Sequence, residues 1–233
     1  MFPLTKTPAN DPVSSSADIA ESPSALPLLE EDVSDAQYEF LLSQGLNAQH
    51  TFLDVGCGTM RLARRLLNYL QPTHYLATEG HAELVESGIK KHLSHKQRSR
   101  LSPAQVSTDG VLDFSFMEER KFDVAMAHGF SSRWPVSHLR HMLRHLEAHA
   151  HDNSVVFVSF ALCPDFHAVN EPLTHPTEKA RYEEVVTRDI AAPYHYTLND
   201  LEYCAQDTGW KCQFIGDWDH PRNLQMVAYY RQQ

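Results

Sequence analysis

The residues of this chain best suited to chemistry crowd into one stretch, FLDVGCGTM at positions 52–60. An apolar run breaks at Asp54, and Gly56 and Gly58 follow with one residue between them. Glycine accepts the backbone of a tight turn and leaves bare N–H groups for a ligand. Such a turn can seat a dinucleotide, a phosphate or a methyl donor, or be a structural turn that seats nothing. A dinucleotide fingerprint needs a final glycine where this chain has Arg61, and the absence of a following Gly-Lys-Ser/Thr excludes a P-loop. Two further acids are spaced to help. Glu79 stands about twenty residues beyond the glycines, where a carboxylate accepts both hydroxyls of a ribose. Asp109 closes a third candidate strand, placed to reach an adenine amino group.

These residues need a frame, and the hydrophobic pattern supplies one. Strands are expected at 51–57, 74–80, 104–110, 121–129, 154–162, 211–218 and 225–231. Helices are expected at 60–70, 81–93, 136–150 and 197–210, the last with Gly209 as its C-cap, and another from Ser34. Alternating strands and helices imply an α/β fold, a Rossmann-like doubly wound sheet of about seven strands with helices on both faces. The short DHPRN connection leaves no room for a crossover helix, so the sheet is mostly parallel with an antiparallel last strand. Residues 1–33, rich in Pro, Ser and Ala, read as a flexible N-terminal arm ahead of a single domain at 34–233. Residues 163–196, with Pro164, Pro172, Pro176 and Pro193, form an insertion where α/β proteins bind ligands. It is expected to be part of a substrate cover, or else a surface excursion with a short helix in TEKARYEEVV.

Composition narrows the class. The chain has 233 residues, 42% hydrophobic and 21% charged, which is ordinary for a soluble globular protein. Its net charge of -10 disfavours non-specific nucleic-acid binding. No apolar stretch approaches the ~20 residues of a membrane helix. MFPLTKTPAN lacks the basic start and apolar core of a secretory signal, and Cys57, Cys163, Cys204 and Cys212 form no CxxC pair. The expectation is a cytoplasmic protein with a small-molecule substrate and no nucleic-acid or membrane partner.

FLDVGCGTMRLARRLL, then YLATEG, then FDVAMAHG, in this order and spacing, resemble the class I S-adenosylmethionine-dependent methyltransferases over roughly residues 35–231. The resemblance is closer to a bacterial small-molecule-type subgroup with GCGxxR and a terminal GDW-HPR segment, matched here by Gly216, Asp217, Trp218, His220, Pro221 and Arg222. It implies S-adenosyl-L-methionine as cofactor and methyl transfer to an O or N atom. Asp54 would order the loop or meet the amino group of the methionine part, and Gly56, Cys57 and Gly58 would pass under the cofactor. Met60 and Arg61 follow in the same site. Glu79 and Gly80 would bind at the ribose, Asp109 and Gly110 at the adenine edge, and Ala127 and His128 would line the methyl-transfer side. Met60 departs from the general class, which most often has glycine there, and its bulk could narrow the cleft or, as the subgroup resemblance implies, be harmless. That departure, with the absence of an unambiguous base, keeps open an alternative, a non-catalytic cofactor-binding or partner protein that retained the fold.

Methyl transfer asks mainly for alignment and a dry pocket, with a base only if the acceptor must lose a proton. The candidate bases are His128, His167 and His195, since histidine titrates nearest neutral pH. Arg133 could clamp a carboxylate or phosphate on the acceptor, and Trp134 could stack on a ring. His167 and Asp165 stand where acceptors commonly dock in such folds, and Tyr194 joins His195 and Tyr196 in an aromatic lining that could equally be core. Equally, Arg133 to Pro135 could simply start a helix. His138, His141, His145 and His149 form one stripe beside the apolar stripe of Leu139, Met142, Leu143, Leu146 and Ala150. A solvated face is expected there, not a metal site.

Overall fold

The computed structural model describes residues 26–130, 133–165, 167–175 and 184–231, with side chains from residue 32 onward. Seven strands build the main sheet: β1 (Phe52–Val55), β2 (Tyr75–Thr78), β3 (Val106–Ser107), β4 (Phe122–Ala127), β5 (Ala150–Phe160), β8 (Trp210–Asp217) and β9 (Gln225–Arg231). They lie in the order β3-β2-β1-β4-β5-β9-β8. Neighbours from β3 through β5 pair in parallel, and β9 runs antiparallel to both β5 and β8. The expected sheet, with its reversed last strand, is therefore the one observed.

The helices are α1 (Leu26–Ser43), α2 (Arg61–Tyr69), α3 (Ala82–His92), α4 (His95–Arg98), α5 (Val136–Leu146) and α6 (Leu198–Ala205). β1 and β2 are buried along their whole length because helices cover both faces, which is why they read as apolar runs without alternation. Successive residues of β5 feed opposite cores. Phe157 packs with Leu41, Leu66, Leu67 and Val85 of α1, α2 and α3. Val156 and Val158 pack with Leu139, Leu143 and Leu201 of α5 and α6. On α5, Leu139, Met142, Leu143 and Leu146 are buried as expected and His138, His141 and His145 are exposed, but the helix ends at Leu146. His149 lies beyond it, half-buried with Nδ1 3.2 Å from the Arg120 carbonyl oxygen, and Ala150 opens β5.

Several boundaries differ from the sequence reading. The first helix begins at Leu26, not Ser34, with Pro27 in its first turn, where the missing N–H costs no bond. The remainder of the predicted arm, residues 1–25, lies outside the described residues. α6 stops at Ala205, because Asp207 takes a left-handed conformation and Thr208 N–H closes a turn onto the Ala205 carbonyl. Gly209 is thus no C-cap; a Cβ there would meet the Arg231 guanidinium at 2.2 Å. Within the insertion, β6 (Leu173–His175) and β7 (Val185–Thr187) form a small antiparallel pair. Val185 and Val186, part of the suggested short helix, are strand, and 176–183 lie outside the described residues. No described helix is long and apolar enough to cross a membrane.

Candidate functional site

Register brings the loops together. Val55 pairs with Thr78 on one side and Ala127 on the other, and Thr78 pairs with Ser107. The chain segments after β1, β2, β3 and β4 therefore leave the sheet at one level, and a cavity of about 450 Å³ opens among them. Asp54, Gly56, Cys57, Gly58, Arg61, Glu79, Gly80, Asp109, Gly110 and His128 line it, with Arg133 and Trp134.

The glycine turn is held from below. The N–H groups of Gly56 and Cys57 donate to the Thr78 carbonyl at 2.8 and 3.0 Å. Gly58 N–H donates to Glu79 Oε2 at 2.9 Å, and His81 N–H to Glu79 Oε1 at 3.2 Å. Gly56 and Gly58 have φ of 79° and 51°, and a Cβ on either would meet nothing within 4 Å. Backbone without a side chain thus faces open space, but the N–H groups of Gly56, Cys57 and Gly58, expected for a ligand, are spent on Thr78 and Glu79. On the far side Gly88 of α3 lies so near that a Cβ would stand 2.2 Å from the Thr59 carbonyl oxygen.

Asp54 is buried beneath the turn, and Tyr75 donates its hydroxyl to Asp54 Oδ2 at 2.7 Å. Burial pushes the carboxyl up to about 7; the Tyr75 hydrogen bond opposes the shift and the Glu79 charge adds to it. Asp109 is exposed two residues past β3, its Oδ1 accepting from Val111 N–H at 3.0 Å.

On the other side of the cavity His128 and His220 meet, Nε2 to Nε2, at 3.0 Å. His220 Nδ1 accepts the backbone N–H groups of Arg222 at 3.1 Å and Leu224 at 3.4 Å. A ring nitrogen that accepts carries no proton, so neutral His220 holds its proton on Nε2 and donates it to His128. His128 then has its own proton on Nδ1, which has no protein partner among the described residues. Burial, reinforced by Arg222, pulls the His128 pKa down to about 4, so the ring is neutral near pH 7. The arrangement makes His128 a hydrogen-bond donor. As a base it would have to break the His220 contact, because Nε2 is its only lone pair.

Residues 53–156, a little under half the chain, match the family model described as a methyltransferase domain. Magnesium protoporphyrin IX methyltransferase from Synechocystis, solved with bound S-adenosylhomocysteine, is 15% identical, with 94% of this chain and 90% of that chain covered at a TM-score of 0.57. The sugar N-methyltransferase KedS8 from Streptoalloteichus is 13% identical, with 98% and 100% covered at 0.58. The CcbJ methyltransferase from Streptomyces caelestis is 15% identical, with 86% and 90% covered at 0.59. The chain has the methyltransferase fold. No curated protein sequence matches it.

Within this methyltransferase fold, several candidate residues fall away from the cavity. Met60 was expected beside the cofactor, but its side chain is fully buried under the turn with Phe52, Leu66 and Tyr75. Its left-handed φ of 62° turns the bulk into the core, so it does not narrow the cleft. Ala127 is the last residue of β4, and its methyl packs into the opposite core, with His128 beginning the cavity wall. His167, His195, Asp165 and Tyr194 gather in the insertion and do not line the cavity. His195 is buried against Thr187, Oγ1 to Nδ1 3.0 Å, with its pKa lowered by burial and by His167. His167 is bonded to the Glu171 carbonyl at 2.9 Å, Asp165 is exposed, and Tyr194 stacks on Tyr196. His167, His195 and Tyr194 are bonded or stacked within the insertion; among the described residues, what the insertion gives the cavity is Val185.

Sequence reasoning missed other wall residues of the fold: Ser34 and Gln37 of α1, Phe130, and His220, Arg222 and Leu224 before β9. The HPR segment was the available signal for the last group. Nothing in α1 marked Ser34 and Gln37, which reach the cavity only because the helix crosses it.

Proposed function

We propose that the protein transfers a methyl group from S-adenosyl-L-methionine to an O or N atom of a small-molecule acceptor. One observation carries the reading: a bare-backbone glycine turn and a buried carboxylate converge on a single cavity at the carboxyl ends of the parallel strands. The matching family description and the methyltransferase neighbours support it.

The residues present fit the donor. A carboxylate has about four lone-pair sites, and the turn uses two of those on Glu79, leaving the others for a ribose diol. Asp54, which lines the cavity, suits an ammonium group there. Leu84, Val111 and Leu112 offer apolar walls near Asp109, whose carboxylate suits an adenine amino group. The donor supplies an electrophilic methyl group on a sulfonium; the chain supplies alignment and exclusion of water. His128, Phe130, Arg133 and Trp134 line the acceptor side. The net charge of -10 supports a small-molecule acceptor over a nucleic acid, and four free cysteines suit a cytoplasmic setting. The non-catalytic alternative drew on Met60, which does not touch the cavity, and on the absence of an unambiguous base, which transfer to an acceptor that loses no proton does not require.

The test is transfer. Purified protein is incubated with methyl-tritiated S-adenosylmethionine and a deproteinised small-molecule extract. Label in an extractable product, absent when Glu79→Ala replaces the wild type, is the expected result. Binding of the donor without label transfer to any fraction would overturn catalysis while leaving the cofactor site standing.

A further inference from the structure

The cavity has two halves of different polarity. Its carboxylates among the described residues are Asp54 of β1 and Glu79 and Asp109 on the loops after β2 and β3, with Arg61 at the start of α2, just past the glycine turn. The opposite half, from the segment after β4 and the connection before β9, carries Arg133, Arg222 and the two histidines. Arg133 is exposed and has no ion-pair partner among the described residues. Arg222 stands close enough to His128 to depress its basicity. His220 donates to His128, and His128 keeps a proton on Nδ1, so the pair offers a donor and no base. Phe130 and Trp134, with ring centroids 5.7 Å apart, supply flat apolar surface beside these cations.

We propose that the acceptor is a carboxylate on a flat apolar body, converted to its methyl ester without a general base. This rests on the methyltransferase reading of the same site. A carboxylate near neutral pH is already the nucleophile, so it needs only donors and positive charge to hold it. A phenol would need a base, which the histidine pair does not provide, and an ammonium would face two arginines. In the step, a carboxylate oxygen forms a bond to the methyl carbon and the carbon–sulfur bond breaks with its electron pair going to sulfur. An anion and a sulfonium become a neutral ester and a neutral thioether, and no proton moves.

The experiment uses the full chain saturated with S-adenosylhomocysteine and titrates matched pairs: 1-naphthoate against 1-naphthamide, benzoate against benzamide, indole-3-acetate against its amide. At least one acid should bind tenfold or more tightly than its amide. Arg133→Gln and Arg222→Gln should erase that preference while keeping S-adenosylhomocysteine affinity within about threefold of wild type. In parallel, tritium carried from the donor into extract products should be released as volatile methanol by mild alkali, as an ester requires. Equal binding of every acid and amide, alkali-stable label, or arginine variants that lose S-adenosylhomocysteine instead of the acid would each overturn the proposal. Failure of the wild type to bind S-adenosylhomocysteine at all would instead remove the methyltransferase reading beneath it.

Discussion

Asp54 is a carboxyl whose folded state favours the proton. Burial raises it to about 7, above the ~3.9 of an unfolded chain. The stability this gives is fully present below the unfolded value and is lost as pH rises through the folded one. Ionisation at pH 8 therefore costs the empty protein, and Asp54→Asn should raise its melting temperature there. Binding runs the other way, since an ammonium group favours the carboxylate. S-adenosylhomocysteine affinity should fall about tenfold between roughly pH 8 and pH 6, and Asp54→Asn should flatten that slope. Calorimetry across that range checks it; a slope unchanged in the variant would remove Asp54 from the ammonium site. At this scale much was legible. The interval from Gly58 to Glu79 is set by one helix and one strand, so spacing alone could find the carboxylate. His220 was not legible as the partner of His128, because 92 positions separate them and only the sheet brings them together.

Gly88 shows how one element fixes another. In a helix interior, glycine to alanine usually gains roughly 0.5–1 kcal/mol. Here the new methyl would press on the Thr59 carbonyl at 2.2 Å, and backbone cannot yield as a side-chain tip does. Overpacking of that kind costs about 1–3 kcal/mol, so Gly88→Ala should destabilise and, by tilting the turn, weaken S-adenosylhomocysteine binding. Urea unfolding and calorimetry on one preparation test both; a more stable variant with unchanged affinity would contradict the packing. Buried parallel strands were legible as apolar runs, and α5 as two separate stripes. The insertion was not, since β6 and β7 have three residues each and no period to read. The start of α1 was hidden by Pro27, which counts against a helix everywhere except its first turn.

The whole molecule closes its cavity from parts far apart in sequence: α1, the β1–β4 loops, Val185 and the connection before β9. A ligand touching all of them should couple them. At about 100 times its dissociation constant, S-adenosylhomocysteine should add about 2.7 kcal/mol of stability. Amide exchange should slow in α1 around Ser34 and Gln37 and in residues 218–224, as well as in the turn. Unchanged exchange in α1 would mean that the helix packs on the sheet without covering the ligand. The sheet order followed from strands alternating with helices and from one short connection, both visible in sequence. The composition of the walls did not, because it depends on which loops the assembled sheet brings to one edge.

The central claim is that this cavity binds the methyl donor through the glycine turn and Glu79. Its most direct test is calorimetric titration of S-adenosylhomocysteine into wild type and Glu79→Ala, with melting curves to show that both are folded. Micromolar binding by the wild type, weakened about a hundredfold or more in the variant, is predicted, since each hydrogen bond to a charged group contributes about 1.5–3 kcal/mol. No binding by folded wild type, or equal binding by the variant, would contradict the account.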